Sequence, residues 1–198
     1  QFEGGIAVQF LRNPNPIESF AREGNKVFLL VLRDKQKNKL VGLGACIIRK
    51  VYKKGKVVRM GYLAGLKVLP EYQKKLLFIP YIYQQLYELT KGEVDFYFTT
   101  ILAENVAAQA MLEKPRKTMP LYEYLGDYRV YFCKAGIKTI RGLRNSNNKG
   151  GKYQVRRCSK QELEAFFVEQ AKKVDFSLES IDAYDLKNAI YYGLFENN

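Results

Sequence analysis

The hydrophobic period changes repeatedly between residues 57 and 113, and this constrains the topology more than any other feature of the chain. Val57–Val68 is a long β-rich run that ends just before Pro70. Ile79, Ile82, Leu86 and Leu89 then recur at helical spacing. Gln84, Gln85, Glu88 and Lys91 take the opposite face, Pro80 lies in the first turn and Gly92 falls past the end. Val94–Leu102, VDFYFTTIL, returns to an apolar β run, read as central rather than edge. A strand, a helix and a strand in one sheet need a crossover, and a crossover makes the two strands parallel. Asn105 then caps a second helix, NVAAQAMLEK, which stops before Pro115.

The flanking segments read as mainly antiparallel. Gly5–Leu11 is a strand candidate. Asn15-Pro16-Ile17-Glu18 opens a short helix ending near Gly24, with Asn15 as cap, Pro16 at the first helical position and Glu18 reaching back. Val27–Arg33, Leu40–Arg49 and Val57–Val68 are three strands joined by the polar turns Asp34–Lys39 and Lys53–Lys56. Gly42 and Gly44 inside the second of these imply a bulge or a close backbone approach. Leu121–Leu125 and Tyr128–Lys134 are expected to pair as a closing hairpin around Gly126-Asp127. Ala135–Lys152, rich in Gly, Asn and Lys, reads as a linker. Ser159-Lys160-Gln161-Glu162 is a capping box for a helix to about Lys173, and Asp182 is a candidate start of another. The expected fold is α+β, a mixed and mostly antiparallel sheet with a central splayed parallel pair and flanking helices.

Composition narrows the chemistry. The 198 residues are 47% hydrophobic and 14% aromatic, which suits a globular core rather than a disordered chain. That length corresponds to one domain and about a third of another. The chain opens at Gln1 rather than Met, consistent with a missing upstream stretch. No secretory leader and no apolar run long enough to span a bilayer are visible, so the expected location is cytoplasmic. There is no His, which excludes Ser-His-Asp and Cys-His catalysis and histidine zinc sites. Cys46, Cys133 and Cys158 are far apart, so neither a thiolate metal site nor a disulfide framework is expected; Cys46 and Cys133 read as buried strand residues.

The net charge is +13. Seven basic and no acidic residues fall between 138 and 159, whereas 160–198 hold four basic and eight acidic. A basic body attracts nucleic acid, an anionic membrane or a phosphorylated cofactor. No RNP-type aromatic run favours the first of these.

The segment Tyr62-Leu63-Ala64-Gly65-Leu66-Lys67-Val68-Leu69-Pro70-Glu71-Tyr72-Gln73 resembles the central strand and turn of the Gcn5-related N-acetyltransferases, L-x-V-x-P-x-[YF]-[RQ]. Thr99-Thr100-Ile101-Leu102-Ala103-Glu104-Asn105-Val106-Ala107-Ala108 resembles their next strand and N-x-x-A helix start, and Met111-Leu112-Glu113-Lys114 falls where that helix reads [YL]EK. The likeness covers about residues 5–135. Leu76-Leu77, Tyr97–Ile101 and Met119–Tyr128 are similar to a two-domain bacterial subgroup. On that resemblance, 1–135 is an acetyltransferase-like domain, 136–152 a basic linker, and 153–198 the start of a second, helical or incomplete domain.

The resemblance implies acetyl-CoA as co-substrate and a primary amine as acceptor. Its pyrophosphate would lie on the loop Gln73, Lys74, Lys75, Leu76, Leu77 and the helix start beyond it. Leu66 and Val68 would offer backbone groups to the pantetheine arm. The family pattern [RQ]-x-x-G-x-[GA] is departed from at Leu76 and Phe78, which replace small residues. Lys74 and Lys75 then have two readings, phosphate contacts or a solvated turn. Asn105 is either a helix cap alone or also a cofactor contact. Leu112 stands where many relatives carry an acidic-role tyrosine. Glu71 is more simply a solvated carboxylate, and Tyr122, Tyr124 and Tyr128 more simply packing residues. No catalytic residue is assigned. Three functions follow: an N-acetyltransferase, an inactive binding or regulatory module on that fold, or a basic nucleic-acid-binding protein.

Overall fold

The computed structural model describes residues 11–73, 78–115, 119–130, 152–178 and 190–196. The Gly5–Leu11 strand, the Ala135–Lys152 linker apart from Lys152, Cys133 and the Asp182 helix lie outside them, Leu11 being described but not in a strand.

The first elements are α1 (Pro16–Ala21), β1 (Lys26–Asp34), β2 (Lys39–Lys53) and β3 (Lys56–Val68). The cap of α1 is as expected: the Asn15 side chain accepts from the Glu18 N–H at 3.0 Å and donates to its carboxylate at 2.9 Å. β1, β2 and β3 pair antiparallel in order. Asp34 Oδ1 accepts from the N–H groups of Gln36 and Lys37 and shapes the first turn. The second turn places Lys54 and Gly55 both at positive φ, the geometry of a two-residue type I′ hairpin.

Both readings of the β2 glycines are met. The β1–β2 register slips between Leu32 and Arg33, leaving Val41 as an extra residue, and a Cβ on Gly42 would lie 2.6 Å from Leu32 Cδ1. A second slip, opposite Gly44, puts its extra residue on β3 at Gly65–Leu66.

After β3 come α2 (Pro70–Gln73), α3 (Ile79–Thr90), β4 (Phe96–Thr99) and α4 (Val106–Glu113). β4 pairs parallel with β3, so the crossover inferred from periodicity is present. The resulting order is β1-β2-β3-β4, mixed and mostly antiparallel with helices flanking it. One face buries Phe20, Ala45 and Ile47, with Tyr62 and Ala64 against them. The other buries Cys46, Ile48 and Leu86 of α3, with Leu63, Val94 and Tyr97.

β4 is four residues long, shorter than the Val94–Leu102 run, and among the described residues it pairs with β3. Both of its faces are covered. Tyr97 bonds Thr90 of α3, and Phe98 stacks on Phe176 at 5.8 Å. The first arm of the expected hairpin needs correction: Leu121–Leu125 forms no strand, residues 119–130 carry no ladder and Leu121 is 84% exposed. Alternation there marks a two-sided surface, but a strand also needs a pairing edge. Of the second arm, Tyr128–Lys134, residues 131–134 lie outside the described residues.

The C-terminal part is described as β5 (Tyr153–Cys158), α5 (Lys160–Ala171), β6 (Phe176–Leu178) and β7 (Tyr191–Glu196). The capping box on Ser159 and Glu162 is formed. An expected helical tail therefore also holds three strands. β5 pairs with β7, nearly forty residues away in sequence, a partner that local pattern cannot reveal. β6 pairs antiparallel with Val51–Lys53, the end of β2 that β1 leaves uncovered.

Candidate active site

The feature that organises the site is where β3 loses its neighbour β4. Its parallel ladder with β4 runs only from Met60–Phe96 to Leu63–Thr99. Thr99 Oγ1 then donates to the Leu63 carbonyl at 2.9 Å. One residue either side, the Tyr62 and Thr100 hydroxyls bond at 2.8 Å. Beyond this, β3 continues for five residues, Ala64–Val68, with no ladder partner on the β4 side among the described residues.

The bulge falls in that stretch. Three steps of β3, Ala64 to Lys67, oppose two steps of β2, Ala45 to Leu43. Gly65 has φ +64°, the left-handed region that glycine occupies without strain. A Cβ there would lie 3.0 Å from Phe20 Cζ. Phe20 is 2% exposed, so α1 buries its ring directly beneath the bulge. A bulge leaves backbone polar groups outside the ladder and turns the strand locally. Such groups on an open strand edge are the kind a ligand amide satisfies.

The chain after β3 is tied down on both sides. Leu69 N–H donates to the carbonyl of the bulged Val41 at 2.9 Å. Gln73 Nε2 donates to the Val68 carbonyl at 2.9 Å. Tyr72 donates its hydroxyl to Asp34 at 2.6 Å, and Lys39 pairs with Glu71 at 2.9 Å. The Tyr72 bond holds the Asp34 carboxyl below its usual range and pushes the Tyr72 phenol up to about 12. These contacts fasten α2 to the β1–β2 hairpin.

The sequence-derived cofactor residues divide as follows. Leu66 lies in the bulge on the open edge; Val68 is paired with Gly42, and its carbonyl is engaged by Gln73. Lys74, Lys75, Leu76 and Leu77 lie outside the described residues. Asn105 caps α4, its side chain accepting from Ala108 N–H at 3.2 Å. α3 begins after Phe78 with no side-chain cap.

Among the acid–base candidates, Glu71 is held as an ionised carboxylate by Lys39. Leu112 is buried. Tyr122 bonds the Tyr83 hydroxyl at 2.6 Å, and burial, with Tyr83 beside it, pushes its phenol well above the ordinary range. Tyr124 and Tyr128 are exposed. Sequence reasoning missed Gly65 as the bulge and Tyr62–Thr100 as the last tie between the parallel strands. The Thr99-Thr100 pair at a strand end was the available signal for the second.

No family model matches the sequence, and no curated protein matches it. Solved structures do. Glucosamine-6-phosphate N-acetyltransferase from Arabidopsis thaliana is 15% identical over 56% of this chain and 74% of its own, with a TM-score of 0.39. An aminoglycoside acetyltransferase from an uncultured soil metagenomic sample, in complex with trehalose, is 16% identical over 66% and 79%, at 0.45. AAC(6')-Iy in complex with the bisubstrate analog CoA-S-monomethyl-acetylneamine is 16% identical over 61% and 83%, at 0.41. The chain's own strand order, its α3 crossover and the release of β3 after Leu63 are the arrangement that the sequence motifs implied. The fold is α+β, a mixed and mostly antiparallel sheet with flanking helices, and these acetyltransferases are what the chain is similar to. The open edge of β3 lies where its parallel pairing with β4 ends.

Proposed function

We propose that the protein is a cytoplasmic, acetyl-CoA-dependent N-acetyltransferase acting on a primary amine. The observation that carries this reading is the open, bulged edge of Ala64–Val68 beside the end of the β3–β4 ladder. Unpaired backbone at Gly65 and Leu66 suits the amides of a pantetheine arm, and Phe20 keeps the bulge in place. Val68 completes that edge, and Gln73 holds the following turn against it. Lys74, Lys75, Leu76 and Leu77 then lead toward α3, whose uncapped first-turn amides favour a pyrophosphate. Asn105 caps the start of α4. When bound, acetyl-CoA supplies the thioester carbonyl that the amine attacks. No base or acid is assigned among the chain's residues.

Titration calorimetry with acetyl-CoA at low and moderate salt, with ATP as a control polyanion, tests the site. The expected result is saturable micromolar binding that ATP does not match, weakened by Asn105→Ala and by a Lys74→Ala/Lys75→Ala double change. Equal weak binding of both ligands would remove the assignment.

A second reading, a binding or regulatory module without turnover, is favoured by buried Leu112 and by Glu71 being committed to Lys39. Thiol release from acetyl-CoA across an amine panel separates the two: release with one amine ends the second reading.

A further inference from the structure

The fold gathers a basic pole that the linear charge distribution does not display. The β2–β3 hairpin tip carries Lys50, Lys53, Lys54 and Lys56, all exposed. α5 ends against this tip. Lys54 N–H donates to the Asp175 carbonyl at 3.0 Å, and the Ala171 carbonyl lies 3.7 Å from where a Gly55 Cβ would be. Lys172 and Lys173, exposed and directly after α5, thereby join the hairpin lysines although they lie more than a hundred residues downstream. Among the described residues only Lys172 of these six is in an ion pair, with Glu169 at 2.6 Å. Asp175 follows Lys173 by two residues, and Asp95, which precedes Phe96, is paired with Arg59 at 3.1 Å. Lys50, Lys54 and Lys56 have no carboxylate partner among the described residues, so their charge is uncompensated.

An aromatic ring sits in the same place. Phe176 of β6 pairs in register with Lys53 and packs against Phe98 at 5.8 Å, yet remains 42% exposed. Lys53 Nζ lies 4.4 Å from the Phe96 ring beside it. Lysines that follow a phosphate backbone, set around a ring on which a base can stack, are the two components of single-strand binding.

We propose that this pole is a binding surface for single-stranded nucleic acid, separate from the acetyl-CoA edge. Leu66 lies ten positions along β3 from Lys56, which at ~3.3 Å per residue places the two about 30 Å apart along the strand. Charge complementarity selects a polyanion, and the exposed ring selects unpaired bases over a duplex, whose bases are already stacked.

The test is fluorescence anisotropy with a labelled oligouridylate of ~20 nucleotides, titrated with the full chain at salt from ~50 to ~200 mM. The expected result is saturable binding that falls steeply with salt. Lys54→Ala/Lys56→Ala/Lys173→Ala weakens it by about tenfold or more and lowers the log–log salt slope by ~2, since each lysine on a single strand accounts for ~0.7. Acetyl-CoA affinity, measured in parallel, is unchanged by the triple variant, which also reports that it is folded. If acetyl-CoA does not bind at all, circular dichroism reports folding, and the anisotropy result stands by itself. Phe176→Leu keeps an apolar side chain and is expected to weaken oligouridylate more than duplex RNA of the same length. Three outcomes would overturn the proposal: no binding, a triple variant that binds as the parent does, or a duplex preferred over the single strand.

Discussion

Gly65 is the residue on which the site depends most directly. Its positive φ and the 3.0 Å approach to Phe20 Cζ both oppose a side chain. Gly65→Ala is expected to destabilise the fold by about 1–2 kcal/mol, because the alanine is strained in that backbone and must displace the ring. Chemical denaturation checks this, and acetyl-CoA affinity is expected to fall more than stability does. Asp34 and Tyr72 give a pH signature. Asp34's folded pKa is depressed, so its contribution is present above the unfolded value near 3.8 and is lost as pH falls through the folded one. Tyr72's is raised to about 12, so its contribution is full below 10 and lost as pH rises toward 12. The stability difference between the parent and Tyr72→Phe should therefore be flat from about pH 5 to pH 9 and shrink at both ends. Cys46, fully buried, has its thiol pushed up to about 11 by burial. It is expected to resist a thiol reagent at pH 8 until the protein is unfolded.

The elements were legible to different degrees, for physical reasons. α1 and α5 announce themselves through caps, since a cap is a contact between residues three apart. Ser159→Ala should cost about 1 kcal/mol by denaturation, the ordinary worth of an N-cap. α3 and β3 follow from period alone. The segment 119–130 misled because alternation does not create a pairing edge. It is anchored instead through Tyr122, whose hydroxyl meets Tyr83 across thirty-nine residues. Tyr122→Phe leaves the largely buried Tyr83 phenol without that partner and should cost about 1–3 kcal/mol. Hydrogen exchange should show the loss as faster opening of residues 119–130.

At the scale of the whole molecule, residues 153–198 reach the first sheet through β6. We propose that they begin a second unit after the basic linker, and that β6 is their tie to the first. β6 extends the β2 edge, and Phe176 packs on Phe96 and Phe98. Phe176→Ala is then expected to speed hydrogen exchange at Val51–Lys53 while leaving the β5–β7 pair protected. Unchanged exchange at Val51–Lys53 would mean that the two parts do not support one another.

The sequence by itself determined what local interactions encode. It carried the parallel crossover, the antiparallel run before it, the helix caps, the bulge-prone β2 glycines and, by resemblance, the expectation of an acetyltransferase fold. It also carried the absence of histidine chemistry. Tertiary structure decided what depends on partners distant along the chain. It set the bulge on Gly65 beneath Phe20, the release of β3 after Leu63, the Tyr72–Asp34 fastening and the pairing of β5 with β7. It also brought the hairpin lysines to the end of α5. Each of these joins residues tens of positions apart, where a side chain's own neighbours in sequence exert no force on the outcome.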